Sequence, residues 1–530
     1  MDRPALSDVT LACSLQPDEA SVANRSATVP SPEKIIIRGG RLVDVDRHSA
    51  PPTDILVIGD SIAELGPPGL PAPSDARPLD ASARLLHPGF INAHTHGMGN
   101  LSKGTADRWS LELLWVGAAS FMANQNLEIK YLNTYLGAVE MLLKGCTAAY
   151  DLTFGYPSAS VEEISAIGQA YVDAGMRAVL APMVADHSFY EAIPGLRDAL
   201  PDDLRQKVDT LRLGPGDRTI AAIGSILDRW TWSSQDIRPA VAPTIPIHCS
   251  DSFMCGCSRL ARDHGVAMHS HVGESKVQAV VGMERYGKSL ISHLDGLGLI
   301  DENFTAAHAV WLGDDDFRLM ADRGASLAHN AGSNMRLGNG HFRLRRALDL
   351  GVNVGIGTDG ANCSDNQNMY EAMRYASMVS KVQGPDPRGW AAVEEIYHAA
   401  TVGSAQALGL SNAGLLAPGY KADIVFVDLG AINWIPHNWT VNQLVHVEDA
   451  TSVRHVMIGG TFVVRDGRLL TLDMAKLARE AEAARDRLEN LNAEWRDLFV
   501  RLEPVVSSFC PGLAARPYQI NRYLCDEIRV

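Results

Sequence analysis

The sequence predicts an α/β fold, a (β/α)8 TIM barrel with a small β-sandwich domain built from both chain ends. Between residues 89 and 414, short apolar strands alternate with longer amphipathic stretches, which is typical of βα units repeated around a parallel sheet. The segments on either side are rich in β-branched residues and in turns centred on glycine. Two β-rich ends flanking a different middle indicate one discontinuous small domain.

Eight candidate strands account for the barrel. They occupy residues 90–96, 147–153, 177–185, 237–245, 266–272, 304–310, 326–332 and 352–360. Helical patterns lie between or after them, for example at 132–145 and 369–382. Eight such units within about 300 residues match a closed barrel, whose active site lies at the C-terminal ends of its strands. A doubly wound open sheet is the alternative.

We divide the chain into four regions. Residues 1–32, rich in Ser, Pro, Asp and Ala without apolar periodicity, are predicted to be a flexible N-terminal arm. Residues 33–88 and 415–472 form the β-sandwich domain, and 89–414 form the barrel. The last region, 473–530, is predicted to be one long charged helix at 474–502 and an irregular tail from 503 onwards.

The composition disfavours two kinds of partner. A net charge of -15 and a pI near 5.6 are unfavourable for binding nucleic acid, which needs clustered Lys and Arg. No apolar run approaches the roughly 18 to 20 residues that cross a bilayer, and the first residues lack the pattern of a secretory signal. Eight cysteines in 530 residues do not form a disulfide framework. We therefore expect a cytoplasmic protein that binds neither nucleic acid nor membrane.

Histidine and aspartate side chains recur where the predicted strands end. They are His94, His96, His271, His308 and Asp359. Because a barrel gathers the C-terminal ends of its strands around one mouth, we expect these side chains to meet. His94 and His96 are two apart on one strand, so their side chains point the same way, and neutral imidazole is the commonest protein ligand of zinc-like cations.

Each of these signals has an ordinary structural explanation when it is taken alone. A lone His308 would more often be a hydrogen-bonded core histidine, and Asp359 beside Gly360 would more often make a turn. Their recurrence at several strand ends favours a metal site. Glu274 follows His271 by three residues, where its carboxylate can reach a metal-bound water.

Five ordered runs of sequence resemble the amidohydrolase superfamily. They are PGFINAHTHGMGNLSKG, HSHVGES, AHAVWL, AHNAGSNMRLGNG and GIGTDGANCSDNQNMYEAMR. The likeness is greatest to the branch of S-adenosylhomocysteine and guanine deaminases, cytosine-deaminase-like enzymes and triazine hydrolases, and it covers about residues 33 to 470. The resemblance implies the same barrel and β-sandwich that the strand pattern predicts.

The resemblance also implies one divalent metal ion, with zinc as the first choice and iron as the alternative. Its implied ligands are His94, His96, His271 and Asp359. Two-metal members carry a carbamylated bridging lysine at a strand end, and this chain has no lysine there. A cation with an open position lowers the pKa of bound water from near 16 toward about 7, so the expected nucleophile is a metal-bound hydroxide.

The implied catalytic residues are Glu274, His308 and Asp359. By the resemblance, Asp359 takes the proton of the water, Glu274 protonates a nitrogen next to the attacked carbon, and His308 contacts the water or the leaving-group side. The expected reaction is hydrolysis of a carbon–nitrogen bond other than a peptide bond, by deamination of an amino-substituted N-heterocycle. His269 either orients His271 or is a core histidine.

The predicted substrate contacts are Lys103, Trp115, Thr244 and Asn334. Members that act on adenosine-type substrates carry a histidine where this chain has Thr244, which weakens an adenosine-like substrate. Lys103 replaces an arginine of the family, and Trp115 either lines a pocket or packs on a helix. Asn334 ends a run that has lost the family's proline, and we expect it to face the ligand.

Two alternatives stay open. The same metal site would serve an amide, urea or cyclic-imide hydrolase or a dehalogenase, because the motifs do not identify the leaving group. An inactive barrel that acts as a binding or assembly protein is disfavoured, since a scaffold has no need of a polar cluster that is costly to bury unpaired. We expect a small-molecule substrate and, by analogy with relatives, a homodimer or larger homo-oligomer with the C-terminal helix as a candidate interface.

Overall fold

The structure is a computed structural model that describes residues 32–155, 158–211 and 213–524. The predicted N-terminal arm therefore lies outside the described residues, apart from its last position. No helix in the described part of the chain is long and apolar enough to cross a membrane.

The described residues contain 17 strands in two sheets. The strands are β1 (Lys34–Leu42), β2 (Pro52–Ile58), β3 (Ser61–Gly66), β4 (Arg77–Asp80), β5 (Arg84–Pro88), β6 (Phe90–Thr95), β7 (Cys146–Phe154), β8 (Arg177–Val184), β9 (Ile237–Pro243), β10 (Ala267–Val272), β11 (Phe304–His308), β12 (Ser326–His329), β13 (Asn353–Ile356), β14 (Ile424–Asp428), β15 (Val453–Ile458), β16 (Thr461–Arg465) and β17 (Arg468–Leu469).

Strands β6 to β13 form a parallel barrel in chain order. Each overlaps one of the eight predicted strands, so the predicted barrel is confirmed and an open sheet is excluded. The two end strands meet where the Asp359 N–H donates to the His94 carbonyl over 2.9 Å. A Cβ at Gly357 would lie 2.9 Å from both the backbone nitrogen and the backbone oxygen of His94, so this close approach requires glycine.

The barrel interior is filled by side chains from alternate strand positions. Ile91, Tyr150, Val179, Ala240 and Ala328 belong to this interior cluster, and the opposite strand faces contribute to the larger core shared with the helices. Small alanines predominate among the smaller cluster's members. The barrel is therefore a packed core, and its chemistry is confined to the mouth.

The second sheet joins the two ends of the barrel chain. Its order is β17-β16-β15-β14-β5-β1-β2-β3, with β4 paired to β1. β14 runs antiparallel to β5, so the late strands and the early strands share one sheet beside the barrel. This joining of both chain ends was expected, whereas the domain boundaries at 33–88 and 415–472 remain a prediction.

The α-helices surround and follow the barrel strands. They are α1 (Leu111–Gly117), α2 (Ala119–Met122), α3 (Leu127–Leu143), α4 (Val161–Ala174), α5 (Phe189–Ala192), α6 (Leu196–Ala199), α7 (Asp202–Val208), α8 (Gly216–Asp228), α9 (Asp251–His264), α10 (Lys276–Tyr286), α11 (Leu290–Gly296), α12 (Asp314–Asp322), α13 (Ala331–Arg336), α14 (Leu344–Asp349), α15 (Met369–Lys381), α16 (Val393–His398), α17 (Ser404–Ala407), α18 (Thr440–His446), α19 (Met474–Leu491) and α20 (Ala493–Ala514). The sequence encodes their ends locally. α4, for example, begins with a capping box between Ser160 and Glu163 and ends at Gly175, whose φ is 79°.

The C-terminal region differs from the prediction in two ways. The predicted single helix is interrupted at Asn492, whose side chain accepts a hydrogen bond from Asn124 over 2.9 Å. The tail predicted to be irregular from 503 onwards is helical to Ala514. The buried side chains that stabilise this helix despite two internal prolines are Leu498, Leu502, Val506, Cys510 and Leu513. Their spacing of three or four residues is that of one helix face.

Candidate active site

Four imidazoles and one carboxylate converge at the C-terminal mouth of the barrel. His94 lies on β6 and His96 directly follows it, while His271 lies on β10 and His308 ends β11. Asp359 follows β13 by three residues. The structure therefore brings together all five side chains that the strand-end pattern selects.

The nitrogen and oxygen atoms of this cluster are closely spaced. His96 Nε2 lies 3.3 Å from His271 Nε2 and 3.2 Å from Asp359 Oδ1, and His94 Nε2 lies 3.6 Å from the same Oδ1. Four ligand atoms about 2.1 Å from a tetrahedral cation stand about 3.4 Å apart. These three distances, which link His94, His96, His271 and Asp359, are therefore close to those around one small divalent cation.

The chemical nature of the ligand atoms also supports a site for one divalent cation. Neither ring nitrogen of the fully buried His94 has a hydrogen-bond partner among the described residues, which is costly unless a further group binds there. Imidazole nitrogen with one carboxylate oxygen suits zinc or iron better than magnesium or calcium. These residues could hold the metal ion that the resemblance implies.

Backbone carbonyls orient two of the rings. His271 Nδ1 lies 2.7 Å from the Thr244 carbonyl, and His96 Nδ1 lies 2.7 Å from the Leu152 carbonyl. A carbonyl accepts only from a protonated Nδ1, so each contact leaves the Nε2 lone pair directed into the cluster. The β6–β7 register is irregular between Asn92 and Thr95, the stretch that contains His94.

Two of the five residues adopt a left-handed backbone. φ is 68° at His308 and 64° at Asp359, which is uncommon for residues other than glycine. Each such residue costs of order 1–3 kcal/mol and persists only where the surroundings hold it. Strain at both positions is typical of a functional site.

Burial keeps His94 and His271 neutral. Burial, reinforced by the neighbouring imidazoles, keeps the pKa of His94 well below 6.5 and lowers the pKa of His271 to about 3. Burial alone would raise the pKa of Asp359, but the imidazoles of His308 and His96 outweigh it and lower this pKa to about 2. Neutral imidazoles and an ionised carboxylate are the forms that bind cations.

The surroundings of Glu274 raise its pKa, whereas those of Asp359 lower it. Glu274 is 2% exposed, and burial, followed by the charges of Asp359 and Glu112, raises its pKa well above 4.5. Asn339 Nδ2 donates to Glu274 Oε1 over 3.2 Å, and the Glu274 N–H donates to Gln278 over 3.0 Å. The site therefore holds two carboxyl groups whose pKa values are pushed apart, which suits acid–base catalysis.

His308 lies between the two carboxyl groups. Its Nε2 is 3.7 Å from Asp359 Oδ2 and its Nδ1 is 3.7 Å from Glu274 Oε1. Asn334 Oδ1 lies 2.9 Å from Nδ1, and Asn330 Nδ2 lies 3.3 Å from Nε2. The two amides favour the tautomer protonated at Nδ1, and burial lowers the pKa of His308, so the ring is neutral.

His269 packs beside the cluster. Its ring meets Tyr150 edge-on at 4.5 Å and lies 5.0 Å from His94. Within the described chain neither of its ring nitrogens has a hydrogen-bond partner, and the Thr244 carbonyl occupies Nδ1 of His271. The Thr244 carbonyl and not His269 therefore contacts Nδ1 of His271, and the role of His269 remains a prediction.

The four predicted substrate contacts are separated in the structure. Asn334 lines a cavity of about 710 Å³ and touches His308. Thr244 is buried and contributes its carbonyl to His271. The Trp115 ring packs against His248 at 5.2 Å, and Lys103 pairs with Glu140 over 2.7 Å. A substrate role for these four residues remains a prediction.

Three residues of the site were missed in the sequence. Asn330 and Asn339 stand in the run AHNAGSNMRLGNG, where the asparagines were a usable signal. Glu112 lines the cavity and accepts from Ser275 over 2.7 Å, yet an acidic residue in the first turn of a helix is ordinary.

Comparisons with known proteins agree with this geometry. A sequence profile of the amidohydrolase family matches residues 85–463. A 5-methylthioadenosine/S-adenosylhomocysteine deaminase from Pyrococcus abyssi is 30% identical over 450 residues, covering 84% of this chain and 96% of the relative. A 5'-deoxyadenosine deaminase from Methanosarcina mazei is 29% identical over 416 residues, covering 77% and 88%.

A solved structure extends the likeness to three dimensions. The crystal structure of an adenosine deaminase from Xanthomonas campestris with bound zinc has a TM-score of 0.76 and 26% identity. The match covers 87% of this chain and 100% of that one. The resemblance that the sequence motifs predict is thereby confirmed, and so are the fold and the hydrolase class.

Proposed function

Because this chain belongs to the amidohydrolase family, we propose that it hydrolytically removes the exocyclic amino group of a purine nucleoside of the adenosine type. One observation carries the proposal. The buried carboxyl of Glu274, whose pKa is raised, and that of Asp359, whose pKa is lowered, stand on either side of His308. Asn334, which contacts His308, lines a cavity large enough for a nucleoside. Hydrolysis at an sp² carbon needs one group to give a proton and one to take it.

The cation is proposed to bind His94, His96, His271 and Asp359. When bound, a divalent cation there supplies a Lewis acid that makes water nucleophilic at neutral pH. Zinc is proposed because three imidazoles and a carboxylate match its preferences.

The chain's own groups move the protons. Asp359, ionised by its imidazole neighbours, accepts a proton from the attacking water. Glu274 holds its proton until it gives it to the ring nitrogen next to the attacked carbon. A new carbon–oxygen bond forms, the carbon–nitrogen bond breaks, and the amino group leaves as ammonia with the proton that Asp359 took from the water. The second proton of the water returns to Glu274 as the carbon–oxygen bond becomes a carbonyl. His308, neutral and fixed by Asn334, orients the water between the two carboxyls.

The adenosine-type substrate is suggested by relatives that share about 30% identity over most of their length. Thr244 is the observation against it, since the family's histidine is lost there. The Thr244 side chain lies against Met183, and only its carbonyl reaches the site. Glu112, a buried carboxylate lining the cavity, is suited to accept hydrogen bonds from sugar hydroxyls.

The test is ammonia release by the metal-loaded enzyme. The panel contains adenosine, 5-methylthioadenosine, S-adenosylhomocysteine, guanine, cytosine, an aminotriazine and an aryl urea. We expect ammonia from at least one adenosine-type nucleoside and none from the urea. Ammonia from no compound, with amine released from the urea, would overturn the deaminase proposal in favour of an amide or urea hydrolase.

Two finer expectations are retained as proposals. The enzyme is proposed to work in the cytoplasm, where its thiols stay reduced; Cys146, Cys249, Cys257, Cys363 and Cys510 are free and buried. A homodimer or larger homo-oligomer is proposed by analogy with relatives, and the molar mass in solution tests it. A mass equal to the 57.2 kDa of one chain would contradict it.

A further inference from the structure

The last described residues, 516–524, lie against the candidate active site although they fall beyond the segment that the family profile matches. Arg522, Tyr523 and Leu524 line the same cavity as Asn334 and Asn339. We propose that this C-terminal segment is a positioning element of the active site, in which Arg522 holds the two loops that orient the Glu274 carboxyl. The inference rests on the proposed function, because Glu274 is the proton donor of that reaction.

Arg522 anchors the segment. It is 6% exposed, and its Nε and Nη2 donate to the carbonyls of Val310 and Leu312 over 2.9 and 2.5 Å. These carbonyls flank Trp311. Burying a guanidinium is costly unless its donors are used, so its placement here has a specific structural purpose.

The neighbouring loop is shaped to receive the segment. The His341 N–H donates to the Arg522 carbonyl over 2.9 Å. A Cβ at Gly340 would lie 2.8 Å from that carbonyl oxygen, and φ at Gly340 is 109°. Only glycine combines this backbone with this approach, so the loop at 338–341 and the segment fit each other.

Two routes lead from Arg522 to Glu274, and both pass through Trp311. The Trp311 N–H donates to the carbonyl of Gly273, which precedes Glu274, over 2.8 Å. The Trp311 indole Nε1 donates to the Asn339 carbonyl over 2.8 Å, and the Asn339 side chain donates to Glu274 Oε1 over 3.2 Å. The segment fixes both the backbone and the carboxyl of Glu274.

Aromatic packing holds the Trp311 ring in this position. Tyr523 and Tyr518 meet it at 5.0 and 6.2 Å between ring centroids, and Lys276 Nζ lies 5.7 Å above it. Ile520 packs on the same cluster. Because the contacts come from several residues of the segment, one substitution at Arg522 loosens the loops without removing their cover.

The experiment compares Arg522→Met, Arg522→Lys and the matched control Arg516→Met in the full metal-loaded chain. Arg516 belongs to the same segment but forms an exposed ion pair with Glu284. Small misplacement of a catalytic group costs up to about 100-fold in rate. We expect Arg522→Met to lower kcat by about 10- to 100-fold with unchanged metal content, Arg522→Lys to recover part of it, and Arg516→Met to stay within about twofold.

Hydrogen exchange supplies a readout that does not depend on turnover. In Arg522→Met the amides of Trp311 and His341 should exchange faster than in the wild type, while those of the distant strand β2 should not. If the exchange rates and kcat are both unchanged in Arg522→Met, the inference is overturned. It is also overturned if the variant loses activity because it binds less metal. Tyr523→Ala is the second variant should Arg522→Met fail to fold. If the wild type deaminates nothing in the panel, the proposed function fails, and exchange still decides whether the segment holds the loops.

Discussion

Replacing Glu274 by glutamine removes a titratable carboxyl from the site and changes little else. Glutamine has nearly the same shape, and its Oε1 can still accept the hydrogen bond from Asn339 that is 3.2 Å long in the structure. The backbone contact to Gln278 is untouched. We therefore expect Glu274→Gln to fold, bind its metal and melt near the wild-type temperature, because an amide of nearly the same shape replaces the buried carboxyl.

The magnitude follows from the role of the carboxyl. The raised pKa favours the protonated form of Glu274, and a positioned general acid contributes about 10²- to 10⁴-fold. At 1.36 kcal/mol per factor of ten, the activation barrier should rise by about 3 to 5 kcal/mol. An amide cannot give up a proton in this range, so kcat should fall by that factor.

The assay is steady-state ammonia release with elemental analysis of the same preparations. Glu482→Gln, the same change at an exposed position of α19, is the control and should match the wild type. A Glu274→Gln enzyme with full metal and a kcat within about twofold of the wild type would refute the role of proton donor. Loss of metal along with activity would instead make Glu274 part of the metal site.

Three further predictions concern the metal, His308 and acid stability. Dialysis against a chelator should lower Tm and abolish activity. Zinc added back at 100 times its Kd should restore about 2.7 kcal/mol to the free energy of unfolding. Melting curves that do not respond to zinc would contradict the proposed metal ligands. Asn334→Ala leaves His308 Nδ1 unpaired at a cost of about 1–3 kcal/mol, so kcat/KM should fall about tenfold or more. Asn334→Asp keeps a hydrogen-bond acceptor for Nδ1, so its kcat/KM should fall less. Burial lowers the pKa of His87 to about 4, below its unfolded value of 6.5, so the folded chain resists protonation and loses stability as the pH falls from 6.5 to 4. Each pH unit in this window costs about 1.4 kcal/mol, and His87→Gln should show a correspondingly smaller loss in urea unfolding at pH 7 and pH 4.5; equal losses would contradict the assignment.

The sequence predicts the parts of the fold that depend on short patterns. All eight barrel strands follow from apolar runs, and the five polar residues of the cluster follow from their place at strand ends. Parallel strands gather these ends at one mouth, so position along each strand is enough to predict that the five side chains meet.

Contacts made by backbone atoms and by loops cannot be predicted from short sequence patterns. Thr244 orients His271 through its carbonyl, which every residue type possesses. Asn339 reaches Glu274 only because Trp311 and the C-terminal segment fix its loop. In the structure Lys103 forms a salt bridge with Glu140, and nothing in the sequence pairs these two residues, which are 37 apart.

The C-terminal helices illustrate the limits of composition. Charged residues predict a helix at 474–502, and buried residues beyond it continue the pattern to Ala514. The break at Asn492 depends on a contact with Asn124, which is distant in sequence. Tertiary contacts thus decide where these helices begin and end.

Turnover in water enriched in ¹⁸O tests the central claim most directly. If the chain hydrolytically deaminates an adenosine-type nucleoside, each ammonia released accompanies one ring product that carries one solvent oxygen at the former amino carbon. Mass spectrometry of the product and an ammonia assay on the same sample give both quantities. Ammonia without solvent oxygen in the ring, or a labelled product without ammonia, would contradict the proposed reaction.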